Sequence, residues 1–284
     1  MSSSSTIDYA SLLGIESLPA AVIFTILYSS ISVFYIWRTI TNFNFVLILV
    51  TIFCLIRVVG FAIRAALTGS ASAGSDLSVV VADQVLFGAG FTALLFAIFN
   101  LETDRERIAG IRFTSPLMTI LTNERVFRFF IAAAAALTIV GTIKISDNKP
   151  SDQDLGNALR QAGVWLLFVV TIVAALRAVF FIYFQRNSTS IMHKPSIAEQ
   201  HAGTLLLTIA GLMIIRMVYV VVVTTKKEQQ NEASWYPLSA LPEFLDVCVF
   251  ATPGLVLSRT ELKEKDIQLE GYRSRPISGS PIVV

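Results

Sequence analysis

Seven long apolar stretches run along the chain, at about 18–40, 44–66, 77–101, 126–145, 160–184, 202–224 and 236–257, with short polar connections between them. Each is close to the roughly 20 residues that an α-helix needs to cross the hydrocarbon of a bilayer. Barrel strands would be half that length and would alternate apolar with polar positions, which FVLILVTIFCLI and MVYVVVV do not. The pattern predicts an all-α membrane protein with seven transmembrane helices. A short extracellular or lumenal segment occupies 1–17, the helical domain 18–257, and a mobile cytoplasmic tail 258–284, where both charges mix with Ser, Pro and Gly. The longest polar connection, about 102–125, contains ERIAGIRF and PLMTIL, a segment expected to lie along the inner interface.

Composition agrees with this pattern. Hydrophobic residues make up 54% of the chain and charged residues 15%, with a mean hydropathy of +0.68, too apolar for a soluble globule. A formal charge of +2 is too small to imply nucleic acid. The two cysteines, Cys54 and Cys248, fall inside apolar runs and offer neither a disulfide framework nor a CxxC metal site. The first 17 residues carry no basic group ahead of the apolar run, so the first span itself is expected to target the chain. Lysines and arginines set the orientation. With the N-terminus outside, thirteen lie on the inner side and six on the outer, which favours N-outside and C-inside. The sequon Asn187-Ser188-Thr189 then lies in a cytoplasmic loop. The chain is expected to be multi-pass, in the plasma membrane or an endomembrane, with membrane lipids as its surroundings.

Against this apolar background six charges fall inside the spans: Arg57, Arg177, Arg216, Asp83, Glu243 and Asp246. A charge in hydrocarbon costs roughly 2.5–3.5 kcal/mol on insertion scales, so such groups pair with one another or line a wet cavity. At a rise of 1.5 Å per residue, Asp83, Arg57, Arg216, Glu243 and Asp246 lie roughly 9, 14, 12, 11 and 15 Å below the outer edges of their spans. Glu243 and Asp246 are three apart and share a face, as do Arg216 and Tyr219, while Arg57 and Arg64 line another. Two readings compete. In one, Arg57, Asp83, Arg216, Tyr219, Glu243 and Asp246 form a ligand site whose arginines meet the phosphate or carboxylate of an amphipathic small molecule. In the other, the same charges are interhelical pairs that fix register and bind nothing. Arg177 lies near the inner end of the fifth span and is expected to snorkel to the inner headgroups.

Packing marks are plainer. Gly88, Gly90, Ala89, Ala93 and Ala97 in the third span, and the Ala132–Ala136 run in the fourth, allow close helix approach. Pro242 precedes Glu243 and permits a bend there. Trp235 and Tyr236 mark the outer boundary and Trp37 the inner one.

Catalytic motifs are missing. The only histidines, His193 and His201, stand eight residues apart without adjoining cysteines, which is no usual metal motif. No GxSxG, HExxH or phosphate-binding GxxxxGK[ST] occurs. No enzyme, cofactor or metal is expected, and no catalytic residue is assigned. Seven helices with Asp104-Arg105-Glu106 after the third also fit a G-protein-coupled receptor, but the sequence has no NPxxY in the seventh span.

At IRVVGFAIRAAL, LFGAGFTALLFAIFNLETD, IIRMVYVV and LPEFLDVCVF the chain resembles an uncharacterised family of fungal seven-span membrane proteins. More distantly it is similar to the fungal lipid-translocating exporters linked to sphingoid-base release and sterol-toxin resistance. About half the chain carries the likeness. Arg57, Arg216 with Tyr219, and Glu243 match that family's intramembrane arginine and glutamate positions. The resemblance implies a fungal source and, by analogy with the distant relatives, handling of lipid.

Overall fold

The structure, a computed structural model, describes residues 14–109, 123–145, 150–187, 197–226, 231–258, 260–264 and 267. Among these residues all regular structure is helical. Six helices are long and apolar enough to cross a membrane: α1 Leu18–Thr41, α2 Phe45–Gly69, α3 Leu77–Ile108, α4 Glu124–Ile145, α5 Pro150–Asn187 and α6 Ile197–Lys226. The last predicted span takes another form. Glu232–Trp235 is α-helical, Tyr236–Ala240 is a π turn, and α7, Leu241–Phe250, completes the run.

Local chemistry sets these boundaries. Asn44 accepts from the Val46 N–H at 2.8 Å, Asp76 from Ser78 at 2.9 Å, Asn123 from Arg125 at 3.0 Å and Asn231 from Ala233 at 3.0 Å, so α2, α3, α4 and the final run each begin on a side-chain cap. The π turn closes with the Leu241 N–H on the Tyr236 carbonyl, five residues back. Pro242 follows at once and has no N–H to continue the α-helical ladder from Leu238. The predicted span over 236–257 therefore stands corrected: the helix starts earlier and ends at Phe250. Gly254, with φ of 81°, turns the chain after it, a conformation that favours glycine.

Consecutive helices pack side by side, and the final run lies against α6. It also closes back on the start of the bundle. Tyr35 of α1 donates to the Val247 carbonyl at 2.6 Å, Arg38 to Ala251 at 2.9 Å, and Asn44 to Leu257 at 2.5 Å, while Glu232 accepts from the N–H groups of Glu16 and Ser17. The tightest crossing lies between α4 and α5. A Cβ on Gly156 would stand 2.7 Å from the Ile145 nitrogen, and one on Gly141 2.8 Å from the Gly156 carbonyl, so both positions need the missing side chain. The alanine run of the fourth span takes part, since a Cβ on Gly163 of α5 would stand 2.9 Å from the Ala134 carbonyl, while the glycines on both sides of the crossing were not singled out in the sequence.

The bundle is apolar outside and charged within. Ile26, Val33, Ile40, Phe129 and Val169 are all more than half exposed, whereas Arg57, Asp83, Arg177 and Glu243 are at most 1% exposed. Water would select the reverse; hydrocarbon selects this one. The predicted interfacial segment, ERIAGIRF to PLMTIL, begins inside α3 and otherwise lies outside the described residues, as do most of the predicted mobile tail, His193 and most of the sequon.

Candidate functional site

Glu243 is the centre of the predicted cluster. It enters the bundle just after the π turn and meets two guanidiniums at once. Arg57 of α2 donates to it through Nε at 2.7 Å and through a terminal nitrogen at 2.7 Å, a bidentate pair. Arg216 of α6 pairs with Glu243 Oε1 through its own Nε. One carboxylate thus ties three helices together. Arg57 has further commitments: it donates to the Phe87 carbonyl at 3.1 Å and to the Leu86 carbonyl at 3.4 Å, and it lies 4.6 Å from the Phe87 ring centroid. Room for it comes from Gly90, where a Cβ would fall 2.9 Å from a guanidinium nitrogen. Arg216 lies over the Phe91 ring at 3.8 Å, and one terminal nitrogen sits 3.5 Å from the Met217 sulfur.

Asp83 belongs to a second unit. Arg64 of α2 donates to both its oxygens at 3.2 Å and stacks on Trp235 at 3.6 Å. Phe87 separates the units, because Arg64 also lies over that ring at 4.3 Å. Arg64, which enters the outer-side charge count only if it reaches the surface, is 2% exposed. Tyr219 stands away from the pairs, with its hydroxyl 3.5 Å from the Ser234 hydroxyl. Trp235 and Tyr236 are buried against α2 and α3 side chains.

Besides Arg216 Nε, which meets Glu243 as an ion pair without making a hydrogen bond, two atoms beside Glu243 are left over. Asp246 is 1% exposed and lies within electrostatic reach of Glu243 and Arg216, yet its Oδ1 has no hydrogen-bond partner. The Tyr28 hydroxyl of α1, fully buried and within reach of Glu243, Arg57 and Asp246, has none either. An unmade bond to a buried polar group costs roughly 1–3 kcal/mol, so native proteins rarely leave two together. Nothing in the sequence singled out Tyr28. It is uncharged and lies in a helix already rich in aromatic residues, where a ring is expected for packing alone; indeed its ring packs on Phe61 and Phe244.

A separate charged group occupies the other end of the bundle. Arg177 of α5 is 1% exposed and does not snorkel, because Glu106 of α3 accepts from its Nε at 3.2 Å and from a terminal nitrogen at 2.8 Å. Glu102 lies 3.6 Å from the remaining nitrogen. Both glutamates were passed over as loop charges, although their spacing of four places them on one helix face at the depth of Arg177. Arg105 is buried and donates to the carbonyls of Gly254 and Leu255, fastening α3 to the turn after α7. Among the described residues no three His, Cys, Asp or Glu side chains converge to hold a metal ion.

A family profile described as a domain of unknown function (DUF7702) matches residues 15–259, which takes in α1 to α7 and all the charged groups above. No curated protein matches the chain, and no solved structure does.

Proposed function

We propose that this chain, which belongs to the DUF7702 family, is a seven-span protein of a fungal membrane that receives a lipid or other amphipathic molecule at the Glu243 cluster. One observation carries the reading: Asp246 Oδ1 and the Tyr28 hydroxyl are buried without partners beside an otherwise completed ion-pair network. A head group that bonds to both removes the cost of leaving them open. Arg57 is already engaged by Glu243 and by two backbone carbonyls, so on this reading the Tyr28 hydroxyl and the Asp246 carboxylate take part in holding the head group. The cluster is also balanced, with Arg57 and Arg216 against Glu243 and Asp246, so a neutral head bearing hydroxyl or amide groups needs no counter-ion. Its apolar body would stay among the aromatic and aliphatic side chains that surround the site.

The seventh span is supported by the run from Glu232 to Phe250, which at 1.5 Å per residue extends about 28 Å and so nearly crosses a hydrocarbon core of about 30 Å. The bias in lysine and arginine supports N-outside and C-inside. The resemblance to fungal lipid exporters supports a carrier over a catalyst, as does the tying up of Glu243 and Asp83 by guanidiniums. A second reading, register pairing alone, draws on the Arg57–Glu243 pair, in which both side chains are at most 2% exposed.

The two readings separate at Tyr28. In cells that depend on this protein for resistance to a membrane-active toxin, Tyr28→Phe should reduce resistance to the level of cells lacking it, at unchanged expression. Full resistance in well-expressed Tyr28→Phe cells leaves the register reading standing and removes the ligand.

A further inference from the structure

We propose that Glu102 binds a proton, and that Glu102, Glu106 and Arg177 form a proton site at the opposite end of the bundle from the Glu243 cluster. Two carboxylates here share one guanidinium. Glu106 takes it bidentately, at 3.2 and 2.8 Å, and Thr103 accepts from the same terminal nitrogen at 3.2 Å. The Phe99 ring lies 4.4 Å from the guanidinium carbon and shuts that side. Glu102 is left 3.6 Å from the last nitrogen, 1% exposed, with neither carboxylate oxygen hydrogen-bonded. An ionised Glu102 would have to share the single charge of Arg177 with Glu106, leaving one buried negative charge in the trio without a counterpart.

Five other arginines on the surrounding helices have partners of their own. Arg105, on the same helix, donates to the Gly254 and Leu255 carbonyls. Arg57 of α2 and Arg216 of α6 are on Glu243, and Arg64 of α2 is on Asp83. Arg128 of α4 is half-exposed and pairs with Glu124. Asp104 and Arg107 stand on the more exposed side of α3. Among the described residues Arg177 is the cation within reach of Glu102, and it is shared with Glu106, so the trio is one positive charge short.

A proton fits where a metal ion does not. Hard cations take six or more oxygen ligands, whereas three acidic, histidine or cysteine side chains do not converge anywhere among the described residues. A proton needs one oxygen and turns Glu102 into a neutral hydroxyl donor. Glu102 lies six residues from the end of α3 at Ile108, about 9 Å along the axis.

Infrared difference spectroscopy of the full chain in lipid nanodiscs at neutral pH tests this. The wild-type spectrum should contain a protonated-carboxyl band that shifts in heavy water and is lost in Glu102→Gln. The band should also be lost in Glu106→Gln, because Glu102 then gives up its proton and becomes the partner of Arg177. If Glu102→Gln does not fold, wild type labelled with carboxyl-13C glutamate answers the same question, since only a glutamate band moves with the label and Asp246 does not contribute. Absence of a protonated glutamate band overturns the proposal. So does wild-type thermal stability that rises in sodium chloride and not in choline chloride, with the difference lost in Glu102→Gln, which assigns the site to sodium.

Discussion

At the scale of single residues, the two kinds of buried polar group have opposite energetic signatures. Glu243 holds two guanidiniums, so Glu243→Gln leaves buried charge without compensation, a loss of about 3–5 kcal/mol in typical buried pairs. Chemical denaturation in micelles should show that loss; stability equal to wild type would mean the pairs are not formed. Tyr28→Phe removes a hydroxyl that bonds to nothing in the ligand-free fold, so its stability should be unchanged or slightly higher in the same measurement. Sequence reached Arg57, Arg216, Glu243 and Asp246 through depth, since residues at one level of a bilayer are the ones able to meet. Depth is a single coordinate, however. It could not say that Asp83 belongs to Arg64 and not to Arg57, because that depends on how each helix is rotated and on the Phe87 ring between them. Arg177 was misjudged because the nearest headgroups were considered and the nearest carboxylates were not.

Among the helices, the α4–α5 crossing is the most constrained. Gly156→Ala puts a methyl group against backbone atoms of Ile145 and Gly141, which cannot move aside as a side chain would, and a cost of about 1–3 kcal/mol follows. Gly211→Ala is the control, since a Cβ there meets nothing within 4 Å. Equal thermal stability for the two variants would contradict the crossing. The cap of α3 gives a pH effect of known sign. The Ser78 hydroxyl and N–H bonds hold the exposed Asp76 carboxyl below the usual carboxylate range, so the cap contributes above the unfolded value and is lost as pH falls through the folded one. Asp76→Asn should flatten acid sensitivity in that window. Helix centres were plain in the sequence because hydrophobic runs of this length have few other uses. Their ends were not: α3 continues through the charged residues up to Ile108 because Glu102 and Glu106 are buried against Arg177 of α5, and Arg105 against the turn after α7. The seventh run was displaced because the Asn231 cap and the π turn lie upstream of its most apolar stretch.

For the whole molecule, the account joins an odd number of spans to a site in one half of the bilayer. A glycosylation acceptor placed within residues 1–17 should be modified, while a reporter fused after residue 284 should remain cytoplasmic. The two ends on the same side would mean six crossings and a last run that does not span. The central claim, however, is that the Glu243 cluster is a binding site left open at Tyr28 and Asp246. Native mass spectrometry of the protein released from its own membrane addresses it most directly. Wild type should carry a neutral, hydroxyl- or amide-bearing amphiphile that is absent from Tyr28→Phe and reduced in Asp246→Asn, with both variants folded. An empty wild-type protein, or the same bound species at equal occupancy in all three, would contradict it.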